Sequence, residues 1–364
     1  MAKSFNLAIY PWVYSAKFDG IWQESFTEQQ HLDPEVESAL PDEEREKVYL
    51  ERNRFQELPL VNFTTQYGLG CFEGLKAFPQ PDGSLSLFRP FDNGIRMAGS
   101  MEGLMMPPYP ADTFVRTIQD LVGRNQKLGF TPTYEPEWEA DHFVSAKTVY
   151  VRPFSYAESG IGVDLSTNPW VIIINTTVGS YFNPDSDAST TTTKRVRANP
   201  GGTGWIKCAA NYVTSALAKK DAEESGCMEA IFLDAVEHRY LEEGSSCNLF
   251  AVLSDGTIVT PSLGDTILPG ITRQSVITLA EEDGTTVEER RLSVEEVLDD
   301  AVEFFGTGTA AGVAHFGSLT HEGRTVIFGD GRIGPKALGL LHQLKGIQFG
   351  RLSDRHSWMV PVAS

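Results

Sequence analysis

Hydrophobic and polar positions change period several times along the chain. Alternating or β-branched apolar runs, LSLF from residue 85, TVYVRPF from 148 and WVIIINTTV from 170, read as strands; even the last is too short to cross a membrane. The stretch NPDSDASTTTTK at 183–194 is polar, low in complexity and aperiodic, the pattern of an exposed linker. Beyond it, short strand-like runs (EAIFLD from 229, SCNLFAVL from 246, VEFFG from 302) alternate with helical patterns. Residues 209–225 carry Ala, Leu and Lys at good helix positions and stop at Gly226, while helices at 272–282 and 336–344 follow a Pro-Gly and a Gly-Pro. The pattern predicts an α/β protein with an N-terminal domain over 1–182, a linker over 183–194 and a C-terminal domain over 195–364. The acid-rich segment 31–53 reads as a helical insertion whose charges only solvate it, and no internal repeat is visible.

Length agrees with this division, because 364 residues exceed what one ordinary core accommodates and the 41% hydrophobic content suffices for two. The formal charge of -19, from 49 acidic against 30 basic residues, offers no surface for nucleic acid or an anionic membrane. With no long apolar segment, a cytoplasmic protein is expected. The four cysteines, Cys71, Cys208, Cys227 and Cys247, form neither a CxxC nor a zinc spacing, so they read as small buried hydrophobes in a reducing compartment, and no metal site is expected.

Chemistry enters with GGTGWIKCAANY at 201–212, where Lys207 stands among apolar neighbours after a glycine-rich turn. A phosphate-binding P-loop fails there, because Ile206 and Cys208 occupy the positions that need Gly and Ser or Thr. A dinucleotide site at FGTGTAAG, 305–312, lacks the helix that should open at its third glycine. A Schiff-base lysine remains, since apolar burial disfavours the ammonium form; a surface lysine beside a turn fits the local sequence equally well. Other segments decide between them. A pyridoxal phosphate site needs a lysine for the aldehyde, an acid for the ring nitrogen, and amides, hydroxyls and an arginine for the phosphate. LEEGSSCNLF supplies Glu243, ILPGITRQ a helix start at Ile271 and Thr272, and FGTGTAAG a turn with the hydroxyl of Thr309.

The blocks QYGLGCFEGLKAF, LFRPFDNGIRM, VYVRP, GGTGWIKCAANY, EEGSSCNLF, ILPGITR, FGTGTAAGVA and GIQFGR resemble, in order, the branched-chain amino acid aminotransferases of fold type IV. The resemblance runs from about residue 60 to the C-terminus. It implies a pyridoxal phosphate-dependent homodimer in which the cofactor lies between a smaller N-terminal and a larger C-terminal α/β domain. It also implies reversible amino transfer between leucine, isoleucine or valine and 2-oxoglutarate, as in amino-acid biosynthesis. Lys207 would form the Schiff base and shuttle the proton, Tyr212 would bond the ring hydroxyl and Glu243 the ring nitrogen, and Leu268 would pack on the ring. Arg96, Ile271, Thr272 and Thr309 would hold the phosphate. Tyr67, Arg152, Thr309 and Ala310 would surround the substrate carboxylate. Phe72, Tyr150 and Tyr181 would wall the side-chain pocket, with Ile161 and Val163 supplied by the neighbouring subunit. Lys76 meets no chemical demand and reads as structural. Ala311 and Ala314 stand where mammalian members carry a CxxC, and Trp205 and Ile206 where many members are smaller or more polar. The same fold also carries D-amino acid aminotransferases and aminodeoxychorismate lyases, but the VYVRP, IGV and GIQFGR blocks favour the branched-chain branch.

Overall fold

A computed structural model describes residues 8–54, 58–179 and 188–362 of the chain. They form two compact units: residues 8–54, 58–141, 145–179 and 348–362 make the first, and residues 142–144 and 188–347 the second. The two units are similar in size. The first unit gives way to the second after residue 179, and the C-terminal tail belongs to the first unit. Met359–Pro361 pairs antiparallel with Leu85–Phe88, and Gln80 donates to the carbonyl of Gln348 at 3.0 Å, which returns the tail to the first unit.

The first unit is built on a sheet of seven strands among the described residues. Their order is Met359–Pro361, Leu85–Phe88, Leu75–Pro79, Thr148–Tyr156, Trp170–Val178, Trp12–Asp19 and Ile21–Glu28, with every neighbouring pair antiparallel. The helix Ala111–Lys127 packs on it because Phe114, Ile118, Leu121 and Val122 recur at helical spacing and are buried. From the same helix Asn125 accepts from the amide of Trp12 at 3.0 Å and donates to its carbonyl at 3.2 Å, fixing where that strand begins.

The second unit holds a ten-stranded sheet among the described residues, with Asn248–Leu253, Leu241–Gly244 and Glu229–Leu233 consecutive in it. Glu229–Leu233 and Asn248–Leu253 are buried on both faces, hence their apolar runs. Two expectations are corrected here. Ser189–Thr192, assigned to the linker, is a strand parallel to both Glu229–Leu233 and Ser318–His321; its threonines are β-branched, and the hydroxyls of Thr190 and Thr191 donate to the carbonyls of Ser318 and Thr320 at 2.7 and 3.3 Å. The linker positions 183–187 and Tyr181 lie outside the described residues. The segment 31–53 does form helices, Pro34–Ser38 and Asp42–Arg52, but its charges do more than solvate: Glu37 and Arg52 are buried as an ion pair, with Arg52 also donating to the carbonyl of Ile9 at 3.1 Å.

Candidate active site

In the second unit Lys207 ends a glycine-rich turn. Asn211 ties this turn to the helix Asn211–Glu224 by accepting from the Thr203 hydroxyl at 2.7 Å and donating to the carbonyls of Thr203 and Ile206 at 2.7 and 3.1 Å. Ile206 and Cys208 are buried, whereas Lys207 between them is half-buried on the other side of the chain. Its Nζ donates to the Tyr212 hydroxyl at 2.8 Å and lies 5.2 Å from the centre of that ring. A lysine and a phenol therefore share one proton-bearing contact, with the amine supported rather than sequestered.

Glu243, on the strand Leu241–Gly244, is buried and held on both oxygens. Oε1 accepts from Asn248 Nδ2 and from the amide of Leu268, each at 2.9 Å, and Oε2 is ion-paired with Arg197. Arg197 is itself buried and donates to the carbonyls of Gly204 and Thr266 at 3.0 Å each. Asn248 Nδ2 also donates to the carbonyl of Leu268 at 2.9 Å, so one amide side chain fixes Leu268 and the carboxylate together. Gly270 makes this possible, since a Cβ there would overlap Asn248 Oδ1 and lie 3.1 Å from its Cγ. Gly270 then caps the helix Ile271–Glu282 without a side-chain hydrogen bond, and Thr272 is buried in the first turn. Such an N-terminus presents backbone amides and the positive end of the helix dipole to an anion.

The segment FGTGTAAG is a β-hairpin, with Ala301–Gly308 paired to Gly312–Phe316 and Thr309, Ala310 and Ala311 as its turn. That geometry removes the dinucleotide reading. Gly312 sits at φ 73°, a left-handed conformation suited to glycine, and brings the chain back under the turn. Thr307, near the end of the first strand of the hairpin, has a buried hydroxyl without a hydrogen-bond partner.

The first unit carries the remaining candidates. Tyr150 and Arg152 project from one face of the strand Thr148–Tyr156, and Arg152 Nη2 donates to the Tyr150 hydroxyl at 2.7 Å. The guanidinium lies 4.7 Å from the centre of the Phe72 ring and 5.2 Å from that of Tyr150, so Phe72, Tyr150 and Arg152 form one cluster. Tyr67 ends the helix Phe63–Tyr67 and accepts from the amide of Gly162 at 3.0 Å, which brings it to the turn bearing Ile161 and Val163. Those two side chains are 81% and 94% exposed. Arg96 is held bidentately by the fully buried Glu73, at 2.7 and 2.9 Å. Lys76 is buried on the strand Leu75–Pro79, opposite Tyr150.

Sequence reasoning missed Glu73, Arg197 and Asn248, which orient Arg96 and Glu243. Asn248 stood in a recognised block, whereas Arg197, in KRVRANPGG, carries no local signal at all. Among the described residues no group of three or more His, Cys, Asp or Glu is placed to hold a metal ion, and no helix is long and apolar enough to cross a membrane. Cys71 and Cys208 are buried and Cys227 and Cys247 partly so, all four as free thiols.

Residues 70–319 match the amino-transferase class IV family. The chain is 38% identical over 305 residues to a probable branched-chain-amino-acid aminotransferase of Staphylococcus epidermidis, covering 81% of each protein. It is 37% identical over 305 residues to branched-chain-amino-acid transaminase 1 of Bacillus subtilis, covering 81% of this chain and 82% of that one. A solved branched-chain amino acid aminotransferase of Escherichia coli aligns with a TM-score of 0.72 at 27% identity, over 85% of this chain and 95% of that one.

Proposed function

Because the chain belongs to the amino-transferase class IV family, we propose that it is a pyridoxal phosphate-dependent branched-chain amino acid aminotransferase. On this reading it exchanges amino groups between leucine, isoleucine or valine and 2-oxoglutarate, as a cytoplasmic homodimer. What carries the proposal is the buried Glu243 carboxylate, fixed by Asn248 and Leu268 and paired with Arg197, in a chain with relatives of that name at 37–38% identity.

The residues of the second unit fit the cofactor: an amine beside a phenol, a buried carboxylate, a helix start without a side-chain cap and a turn of small residues. Pyridoxal phosphate, when bound, supplies an aldehyde that exchanges amino groups and a ring that accepts the electron pair left when the substrate carbon loses its proton. Lys207 Nζ takes and returns that proton, and the Tyr212 hydroxyl keeps the amine aimed. Glu243 receives the ring nitrogen, its orientation already set by three partners. The amides of Ile271 and Thr272 and the hydroxyl of Thr309 would hold the phosphate. Leu268, its backbone fixed at both N–H and C=O, packs on the ring.

For the substrate, Arg152 and Tyr67 of the first unit serve the carboxylate, and the rings of Phe72 and Tyr150 bound the side chain. The exposure of Ile161 and Val163 supports a second copy of the chain as their destination, since large apolar tips on a loop gain from burial at an interface. The test is a set of paired half-reactions on the holoenzyme. Leucine carries three more carbons than alanine, at about 0.8 kcal/mol each, so its kcat/KM should exceed that of alanine by roughly fiftyfold. A preference for D-alanine over leucine would sink the assignment in favour of a D-amino acid aminotransferase.

A further inference from the structure

Glu242, the neighbour of Glu243 in the strand, is not part of the machinery described above, yet it is only 6% exposed. Its Oε2 is buried without a hydrogen-bond partner, and the same holds for Nε of Arg197. The two groups feel each other's charge, and both engage Thr266, Glu242 through the threonine hydroxyl and Arg197 through the carbonyl at 3.0 Å. A buried acid and a buried base thus each keep one uncommitted atom, next to the pair that would receive the cofactor ring.

Counting charge gives this arrangement a purpose. Arg197 already neutralises Glu243. A cationic ring nitrogen brought to the same carboxylate leaves one positive charge in excess in a buried place, and such an excess opposes protonation of the nitrogen. We propose that Glu242 is a positioning residue for the cofactor: it supplies the second negative charge that allows the Arg197 guanidinium and a cationic ring nitrogen to share Glu243. The proposal rests on the reading of Glu243 as the partner of that nitrogen.

Without that cation, burial pushes the Glu242 carboxyl up to about 7, with Glu243 and Asp234 adding to the rise and the Thr266 hydroxyl and Arg197 opposing it. The other charged or titratable groups facing it line an open cavity of about 320 Å³ on its far side: Glu237, Asp265, Tyr240 and Arg291. Arg291 is ion-paired with Glu237 at 2.6 Å and stacks on Tyr240, while Asp234 accepts four backbone N–H bonds. These groups are committed to one another or to the backbone, or, like Asp265, bond a backbone amide elsewhere. The cavity gives the Glu242 proton a route to solvent. The sign of the linkage follows: the folded carboxyl holds a proton between the ordinary carboxylate range and about pH 7, so its burial weakens the fold as pH rises through that window, and arrival of a cation expels the proton.

The experiment is calorimetric titration of the apoenzyme with pyridoxamine 5'-phosphate, which cannot link to Lys207, in two buffers of different ionisation enthalpy. At about pH 6 the wild type should release close to one proton more than Glu242→Gln, and the difference should vanish near pH 8, where Glu242→Gln should instead bind roughly tenfold more weakly. Melting temperature of the ligand-free protein should fall less between pH 5 and 7 in Glu242→Gln than in the wild type. Should the glutamine variant not fold, Glu242→Met makes the same comparison. Equal proton release and equal affinity in wild type and variant would overturn the proposal. A Glu243→Gln control separates the failures: if it weakens binding while Glu242→Gln does not, Glu242 alone is misread, and if neither variant changes binding, the ring-nitrogen reading of Glu243 falls as well.

Discussion

Replacing Gly270 by alanine tests whether Asn248 and Glu243 form one mechanical unit. Gly270 has φ -70° and ψ 129°, which alanine adopts freely, so the backbone carries no penalty and should even stabilise by about 0.4–1 kcal/mol through the unfolded chain. The added Cβ, however, overlaps Asn248 Oδ1 and forces that side chain to turn. Turning it breaks the bond to the Glu243 carboxylate, about 1.5–3 kcal/mol, and the bond to the Leu268 carbonyl, about 0.5–1.5 kcal/mol. Gly270→Ala should therefore destabilise by about 1.5–3.5 kcal/mol. In an Asn248→Ala background those bonds are already gone and only the 3.2 Å approach to Arg273 Cβ remains, so the same substitution should cost far less than in the wild type. Urea unfolding of the four ligand-free proteins, followed by circular dichroism, measures the coupling. Costs that add within about 0.5 kcal/mol would refute the linkage, because sites without a shared partner behave that way.

Three more predictions concern other parts of the molecule. Lys207→Ala should bind the cofactor without a borohydride-reducible link to the protein, checked by mass, and lose transamination by roughly 10²–10⁴-fold; a persistent link would put the reacting amine elsewhere. Arg152→Met, which removes the donor to Tyr150 and the cation over Phe72, should reduce activity with 2-oxoglutarate more than with branched-chain 2-oxo acids, because the γ-carboxylate of 2-oxoglutarate also needs a polar partner; equal losses would confine Arg152 to the shared α-carboxylate or to architecture. Glu37→Gln should destabilise by about 3–5 kcal/mol by stranding the buried Arg52 charge, with Glu37→Leu plus Arg52→Met costing less than the single change; a single-variant loss below about 1 kcal/mol would mean that water reaches the pair.

What could be read from the chain beforehand depended on how far each residue's partner lies along it. Trp170–Val178 and Glu229–Leu233 were legible because burial on both faces writes an unbroken apolar run into consecutive positions. Ile21–Glu28 was not, since most of its side chains are exposed and its strand character comes from pairing with Trp12–Asp19. Lys207 and Glu243 stand out through their blocks, but Arg197 and Glu73 acquire meaning only from partners 46 and 23 positions away, at Glu243 and Arg96. Glu37 and Arg52 misled for the same reason. An acid and a base fifteen residues apart in a charged segment look solvated until the fold closes over both.

The antiparallel pairing of Met359–Pro361 with Leu85–Phe88 also imposes an order on biosynthesis. The ribosome makes Met359–Pro361 only after the whole second unit has been synthesised. Until then the nascent first unit has an unfilled seat beside Leu85–Phe88, and a bare strand edge is a site for pairing with the wrong chain. A premature stop just ahead of Met359 would leave every proposed catalytic group in place, yet it would convert a transient vulnerability of the nascent chain into a permanent one.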